Sequence, residues 1–198
     1  MCLIFTALEY DDGIMEAYIL AVAHAPREAA EALLEKYPLA GIARVQTQDE
    51  PVEGVLLDGL ALPGSSQALL HLIERRAGVK GRHGRLNGIS TPALKSFQGQ
   101  VQGAESSSTL GAEQNNTSVA FGDRMVLKLF RRLQEGTNPD LEIGRYLTRK
   151  KFEHLPPVLG ALEYRIQGEE PVTVGLLQAY VRNQGDAWQH ALDNLSSF

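Results

Sequence analysis

The stretch from Arg124 to Arg131 limits what this 198-residue chain can fold into, because it places a single cation inside an apolar strand pattern. Side chains of a β-strand alternate between its two faces, so Val126, Lys128 and Phe130 share one face. An ammonium group between apolar neighbours loses hydration, which costs several kcal/mol unless the charge is paired. The pattern predicts a carboxylate or a bound phosphate beside Lys128, although a lysine that extends to solvent at a sheet edge fits it too.

A helix start follows the lysine strand. Asn138 is a typical capping residue, Pro139 suits the first helical position, and Asp140 complements the positive end of the helix dipole, so a helix is predicted over about 139–150. Glu142 also lies in the first turn, and we expect it to lean toward the sheet and pair with Lys128. Complementing the dipole is the alternative explanation for Glu142.

Strand patterns surround this pair in a definite order. Three strands are predicted at about 105–111, 116–121 and 124–131, and two more follow the helix at about 158–166 and 172–181. This order resembles the small lobe of the protein-kinase-like fold, in which a strand lysine orients the phosphates of ATP and a helix glutamate orients the lysine.

The kinase-like resemblance implies roles for two backbone segments. The turn between the first two of these strands would cover the ATP phosphates with Asn115, Asn116, Thr117 and Ser118. The last strand would end in a hinge that offers backbone groups to adenine at Gln178, Ala179, Tyr180 and Val181. The turn lacks the G-x-G-x-x-G pattern of protein kinases, which favours small-molecule kinases of the same fold, and an Asn-Asn pair also suits an ordinary hairpin.

Four longer motifs strengthen the resemblance: "LGAEQNNTSVAFGDRMVLKLFRRL", "NPDLEIGRYLT", "PPVLGALEYR" and "QAYVRNQGDAW". In this order they resemble the amino-terminal region of bacterial maltokinases, including those fused to trehalose synthase. The resemblance implies that Lys128 is the ATP lysine and Glu142 its partner, in an enzyme that transfers the γ-phosphoryl group of ATP to maltose, giving maltose 1-phosphate. It also implies that the catalytic base and the Mg²⁺ ligands lie in a following large lobe, so no catalytic or metal-binding residue is expected here and the chain alone is expected to be inactive.

Local patterns in the first half of the chain predict a hairpin and two helices. Gly13 ends a turn signal between two strands, because glycine tolerates positive φ. The first helix is expected between Pro26 and Pro38. The second helix is expected to be capped by Ser65 or Ser66 and to end at Gly78.

The expected fold class is α+β in two parts. Regular patterns weaken between Lys80 and Ser108, with possible strands near Leu86 to Ile89 and near Val101 to Ala104, so a boundary is placed near residue 104. Residues 1–104 are expected to form an antiparallel cap subdomain. Residues 105–198 are expected to form a kinase-like small lobe with five antiparallel strands and one main helix, followed by the hinge and the start of a further helix.

Net charge, hydropathy and cysteine content argue against several classes of function. The formal charge of −5 is spread evenly, which argues against nucleic-acid binding, and the basic cluster from Arg75 to Arg85 is interpreted as a solvated helix end and turn. The sequence lacks the run of roughly 18 apolar residues that a membrane crossing needs. The N-terminus lacks a secretory pattern and Cys2 is the single cysteine, so a cytoplasmic location is expected.

Two other functions fit the same sequence. The chain could be a non-catalytic module that docks on a partner such as trehalose synthase, with Lys128 and Glu142 as a structural ion pair. It could also belong to an aminoglycoside- or choline-kinase-like enzyme, because the acceptor is selected mainly in the large lobe. A last helix from Asp186 to about Ser196 would leave its apolar face uncovered in this chain, which predicts self-association.

Overall fold

The structure is a computed structural model of the chain, and it describes residues 1–46, 53–62, 64–98, 107–112, 116–182 and 187–196. The strands are β1 (Cys2–Glu9), β2 (Met15–Pro26), β3 (Gly41–Gln46), β4 (Glu53–Asp58), β5 (Gly78–Lys80), β6 (Arg85–Ser90), β7 (Ser107–Ala112), β8 (Asn116–Phe121), β9 (Met125–Phe130), β10 (Arg132–Leu133), β11 (Val158–Arg165) and β12 (Val172–Ala179). The α-helices are α1 (Arg27–Lys36), α2 (Ser65–Arg75), α3 (Pro92–Gln98), α4 (Pro139–Arg149) and α5 (Ala187–Ser196). Short 3₁₀ turns lie at Pro38–Ala40 and Gly59–Ala61.

The strands form two antiparallel sheets. The first has the order β1-β2-β4-β3, with β10 paired to β2, and the second has the order β5-β6-β11-β12-β9-β8-β7. The expected α+β class with antiparallel sheets is confirmed. The five strands predicted for the small lobe are neighbours in the second sheet, and β6 and β5 extend that sheet at one edge.

Strands from both sides of residue 104 share the second sheet. β6, which precedes that position, pairs with β11, which follows it, from Ser90–Gly160 to Arg85–Arg165. The residues around 104, including the strand expected near Val101 to Ala104, lie outside the described residues. The division of the chain at this point stays a prediction.

A common core joins the two sheets. Phe5 of β1 stacks on Tyr164 of β11 with ring centroids 3.8 Å apart. Ile19 of β2 belongs to the same buried cluster as Leu127 and Leu177 of the second sheet. Apolar burial of this kind supplies most of the favourable free energy of folding, so the first sheet is part of what stabilises β9 and β12.

A carboxylate fastens β10 to β2 at the edge of this core. Nη2 of Arg132 lies 2.5 Å from Oε1 of Glu16, and the hydroxyls of Tyr18 and Tyr10 both donate hydrogen bonds to Oε2 of Glu16. The hydrogen bond from Tyr18 lowers the pKa of Glu16, and acceptance by Glu16 raises the pKa of Tyr18. A strand from the second half of the chain is thereby held on the sheet of the first half.

The opposite face of the second sheet is covered by α4. Phe130, Leu176 and Val158 of the sheet form a buried cluster with Leu141 of α4. Gly144 allows a close approach, because a Cβ atom there would lie 2.7 Å from Cγ2 of Val158. The strand that carries Lys128 is therefore packed between the first sheet and α4.

Two local predictions for α2 are corrected by the structure. The N-cap is Gly64, with φ of 81°, and Ser65 and Ser66 lie inside the helix. At the other end the left-handed residue is Arg76, with φ of 51°, instead of Gly78. Gly78 begins β5, where the Arg85 guanidinium lies against it and donates to its carbonyl oxygen at 3.3 Å, so the missing side chain makes room for that arginine.

Helix α3 was not predicted, while the hairpin was. Gly13 has φ of 80°, as expected for the turn between β1 and β2. The helical segment Pro92–Gln98 lies in a stretch read as irregular. A threonine followed by proline, Thr91-Pro92, is the local signal for its start.

Helix α5 carries large apolar side chains that contact solvent. Trp188 is 73% exposed and Leu195 is 71% exposed, and Leu192 lies between them on the same face. This confirms the expectation of an uncovered apolar face. Among the helices in the described ranges, none combines the length and apolarity needed to cross a bilayer.

Candidate functional site

Lys128 lies on β9, between β12 and β8 of the second sheet, on the face that α4 partly covers. Ser118 of β8 and Leu176 of β12 are directly opposite it, so the three side chains form one row across three strands. Leu176 is buried, and Phe130, two residues further along β9, is buried as well. The Lys128 side chain keeps 29% of its surface exposed, which leaves the ammonium group accessible beside an apolar floor.

The N-terminus of α4 brings a carboxylate to this lysine. Nζ of Lys128 lies 3.6 Å from Oδ2 of Asp140. Asn138 fixes the helix start, because its side chain accepts a hydrogen bond from the backbone N–H of Asp140 at 2.9 Å. The backbone N–H of Asn138 donates in turn to the hydroxyl of Thr173 on β12 at 3.1 Å. The helix start is thus anchored to the sheet that carries the lysine.

The observed partner of Lys128 differs from the predicted one. Consecutive helical residues are about 100° apart around the axis, so Glu142 follows Asp140 by about 200° and lies on nearly the opposite face of α4. Glu142 lines a separate cavity between α3 and α4. Within the part of the chain that the structure describes, Glu142 makes no ion pair with Lys128.

The residues expected to form a phosphate-covering turn are mostly part of strand β8. Asn115 lies outside the described residues, and Asn116 begins β8 opposite Phe130. Thr117 is buried on the other face of the sheet, where its hydroxyl accepts a hydrogen bond from Nε of Arg131 at 2.9 Å. Because strand residues alternate, Asn116 and Ser118 share the face of Lys128 and Thr117 does not.

The end of β12 is held in place by two backbone hydrogen bonds. The N–H of Ala179 donates to the carbonyl of Pro157 at 3.0 Å, and the N–H of Tyr180 donates to the carbonyl of Arg124 at 2.7 Å. Neither N–H is therefore available to adenine. The side chain of Gln178 lies opposite Val126 on the Lys128 face, and Val181 is exposed.

A charged contact joins the same segment to the turn between β8 and β9. The Arg182 guanidinium donates to Oδ2 of Asp123, and Nε of Arg124 lies 4.0 Å from Oδ1 of the same carboxylate. The hydrogen bond from Arg182, together with its charge, lowers the pKa of Asp123. A contact between residues 59 positions apart leaves no local pattern in the sequence, so this ion pair was not predicted.

The arrangement offers an anion-binding group, an apolar surface and a fixed strand end on one face. Lys128 supplies the positive charge and Ser118 a hydroxyl next to it. The neighbouring row toward the strand end consists of Ala120, Val126 and Gln178, which lie opposite one another on three strands. Over the described ranges, His, Cys, Asp and Glu side chains do not gather in any group of three that could hold a metal ion.

Comparisons with known proteins add little to this geometry. No protein-family model matches the chain. The chain is similar to a solved glucosamine kinase (crystal form B) with 22% sequence identity and a TM-score of 0.37, over 84% of this chain and 40% of that chain. The chain thus spans about two fifths of the length of that kinase. At this level of similarity the glucosamine kinase carries no weight for the function of the chain.

Proposed function

We propose that the chain is the ATP-binding small lobe of a kinase-type phosphotransferase. The observation that carries the proposal is the ion pair between Lys128 and Asp140, whose side chains are both partly exposed beside buried residues of the sheet. A lysine held in this way presents a fixed positive charge to the phosphates of a nucleotide. Asp140, rather than Glu142, takes the role of the residue that orients the lysine.

The surface beside Lys128 suits the rest of the nucleotide. The row of Ala120, Val126 and Gln178 is two residues away along the strands, which is about 6.6 Å. A planar base can pack on Val126 while its phosphates extend toward Lys128 and Ser118. The N–H groups of Ala179 and Tyr180 are already bonded within the chain, so the proposal assigns no contact with the base to them.

The acceptor and the partners are proposed on the motif resemblance alone. That resemblance favours a sugar hydroxyl, specifically the anomeric hydroxyl of maltose, as the phosphoryl acceptor, trehalose synthase as a partner and the cytoplasm as location. Transfer needs a carboxylate base and Mg²⁺ ligands, which the proposal assigns to a further lobe. Maltose is therefore tested with the longest natural gene product that contains this chain, by following maltose 1-phosphate formation from ATP.

ATP binding is tested on the 198-residue chain itself. A titration of the ¹⁵N-labelled chain with ATP, followed by amide chemical shifts, is expected to perturb Ser118, Lys128 and Val181 most. Perturbations confined to the first sheet or to α5, or none at 10 mM ATP, would contradict the proposal. That result would favour the non-catalytic docking module, in which Lys128 and Asp140 are a structural pair.

A further inference from the structure

A cavity lies on the far side of α4 from Lys128. It is an open cleft with a volume of about 1130 Å³, bordered by α3, the far face of α4 and the segment that follows α4. Its floor includes Leu159, which is fully buried. This volume slightly exceeds the roughly 300–1,000 Å³ that is typical of binding sites for small molecules.

Two aromatic side chains contribute to the wall of the cavity. Phe97 comes from α3 and Phe152 from the segment after α4, so aromatic rings stand on two sides. On the floor, the Thr91 hydroxyl donates to the carbonyl of Val158 at 2.7 Å and lies 3.1 Å from that of Leu159. These two carbonyl groups therefore have hydrogen-bond partners, and the rings of Phe97 and Phe152 offer an apolar contact surface.

Three cations line the cavity without an ionic partner. Arg145 and Arg149 are one turn apart on α4, and Lys151 follows the helix end. In the described ranges, none of the three forms an ion pair within 4.0 Å. Two carboxylates, Glu142 and Glu153, also line the cavity, so the positive charges exceed the negative charges by one.

These cations occupy positions that are locally unfavourable in free energy. Like charges at i,i+4 on a helix repel each other, and Arg145 and Arg149 stand in that relation. Lys151 has φ of 55°, a left-handed conformation that favours glycine after a helix and costs a lysine roughly 1 kcal/mol. Local rules are typically broken at functional sites, where another interaction compensates.

We propose that this cavity binds a small anionic compound with an aromatic or apolar body. Its phosphate or carboxylate group lies between Arg145, Arg149 and Lys151, and its body packs on Phe97 and Phe152. The site does not use Lys128 or Asp140. Its existence is therefore independent of the proposed nucleotide site.

The test uses 2-naphthyl phosphate, with inorganic phosphate and 2-naphthol as comparison compounds. Each is titrated into the ¹⁵N-labelled 198-residue chain. The naphthyl phosphate is expected to perturb amides of α3 and of the α4 end, and to bind more tightly than either comparison compound. Lys151→Ala and the double variant Arg145→Ala/Arg149→Ala are each expected to weaken it about tenfold or more.

Lys150→Ala is the matched control, because Lys150 is the neighbour of Lys151 but lies over the Tyr146 ring at 5.7 Å and does not line the cavity. Its affinity for 2-naphthyl phosphate should equal that of the unmodified chain. The proposal is overturned if Lys150→Ala weakens binding as much as Lys151→Ala. It is also overturned if 10 mM 2-naphthyl phosphate leaves the α3 and α4 amides unchanged. The spectrum of each variant without ligand shows whether that variant is folded. If either Lys151→Ala or Arg145→Ala/Arg149→Ala fails to fold, the other still tests the proposal.

Discussion

Nζ of Lys128 and Oδ2 of Asp140 lie 3.6 Å apart, one on an inner strand of a seven-stranded sheet and the other in the first turn of the helix that packs on it. Packing of α4 on the sheet and capping of its first turn position Asp140 beside Lys128. The sheet packs on Leu141 of α4, and the Asn138 cap orders the helix start. The fold therefore holds the carboxylate of Asp140 beside the ammonium group of Lys128, and a cation placed in this way lowers the cost of binding an anion.

Replacing the carboxylate partner distinguishes Asp140 from Glu142. Asp140→Asn is expected to weaken ATP binding by up to about fivefold, because an ion pair with a half-exposed carboxylate contributes about 0–1 kcal/mol. Glu142→Gln should leave the affinity unchanged, since that side chain lines the cavity behind α4. Calorimetric titration with ATP measures both. A larger loss in Glu142→Gln than in Asp140→Asn would restore the partner predicted from the sequence.

The start of α4 was predictable because its signals are local. Asn138 and Pro139 specify a cap and a first turn wherever the helix packs, and the observed helix begins at Pro139. Which carboxylate meets Lys128 was not predictable from that pattern. Asp140 and Glu142 both lie in the first turn, and only the rotation of the helix on the sheet, set by Leu141 and Gly144, decides between them.

The contrast between local signals and long-range packing also explains the other differences between the predicted and the observed structure. Alternation in β9 correctly separated Lys128 from Leu127, and alternation applied to β8 would have placed Thr117 on the face away from Lys128. Arg76 takes the left-handed position at the end of α2 because Gly78 is needed beside Arg85 in the following strand. The contact of Asp123 with Arg182 depends on the antiparallel pairing of β12 with β9, which are distant in sequence, so no local pattern predicts it.

Close packing of α2 on β6 predicts a strong effect at Gly88. A Cβ atom there would lie 2.0 Å from the carbonyl oxygen of Leu72, which is backbone and cannot rotate away. Gly88→Ala is therefore expected to lower the free energy of unfolding by about 1–3 kcal/mol or more. Gly81→Ala is the control, because a Cβ atom at Gly81 would lie 3.4 Å from the carbonyl oxygen of Gly84, an ordinary contact distance. Urea denaturation compares the two, and equal midpoints would show that α2 does not pack on β6 in this way.

The contact of Asp123 with Arg182 predicts a titration at acid pH. Because the guanidinium lowers the pKa of Asp123 below its ordinary value of 3.8, the pair stabilises the fold above that pH. The contribution is lost as pH falls through the lowered pKa. Carboxyl NMR should show Asp123 titrating below 3.8, and Arg182→Gln should bring the pKa back toward 3.8. Arg124→Gln should change it less, and an Asp123 pKa that Arg182→Gln leaves unaltered would rule out the contact.

The exposed face of α5 predicts concentration-dependent association of this chain. Trp188→Lys and Leu195→Lys together should shift the light-scattering mass toward the monomer, because the charges interrupt the apolar face. Leu39→Lys is the control, since Leu39 is 98% exposed and stands apart from α5. A mass that is the same for the double variant and for Leu39→Lys would place the association elsewhere.

The central claim is that Lys128 binds the phosphates of ATP, and the most direct measurement is the ATP dissociation constant of Lys128→Met beside that of Lys150→Met. Methionine keeps the apolar stem of the lysine and removes its charge. Loss of a charge-assisted contact predicts that Lys128→Met binds ATP about tenfold or more weakly than the unmodified chain, with Lys150→Met unchanged. Equal ATP affinity in the unmodified chain and in a folded Lys128→Met variant would contradict the claim.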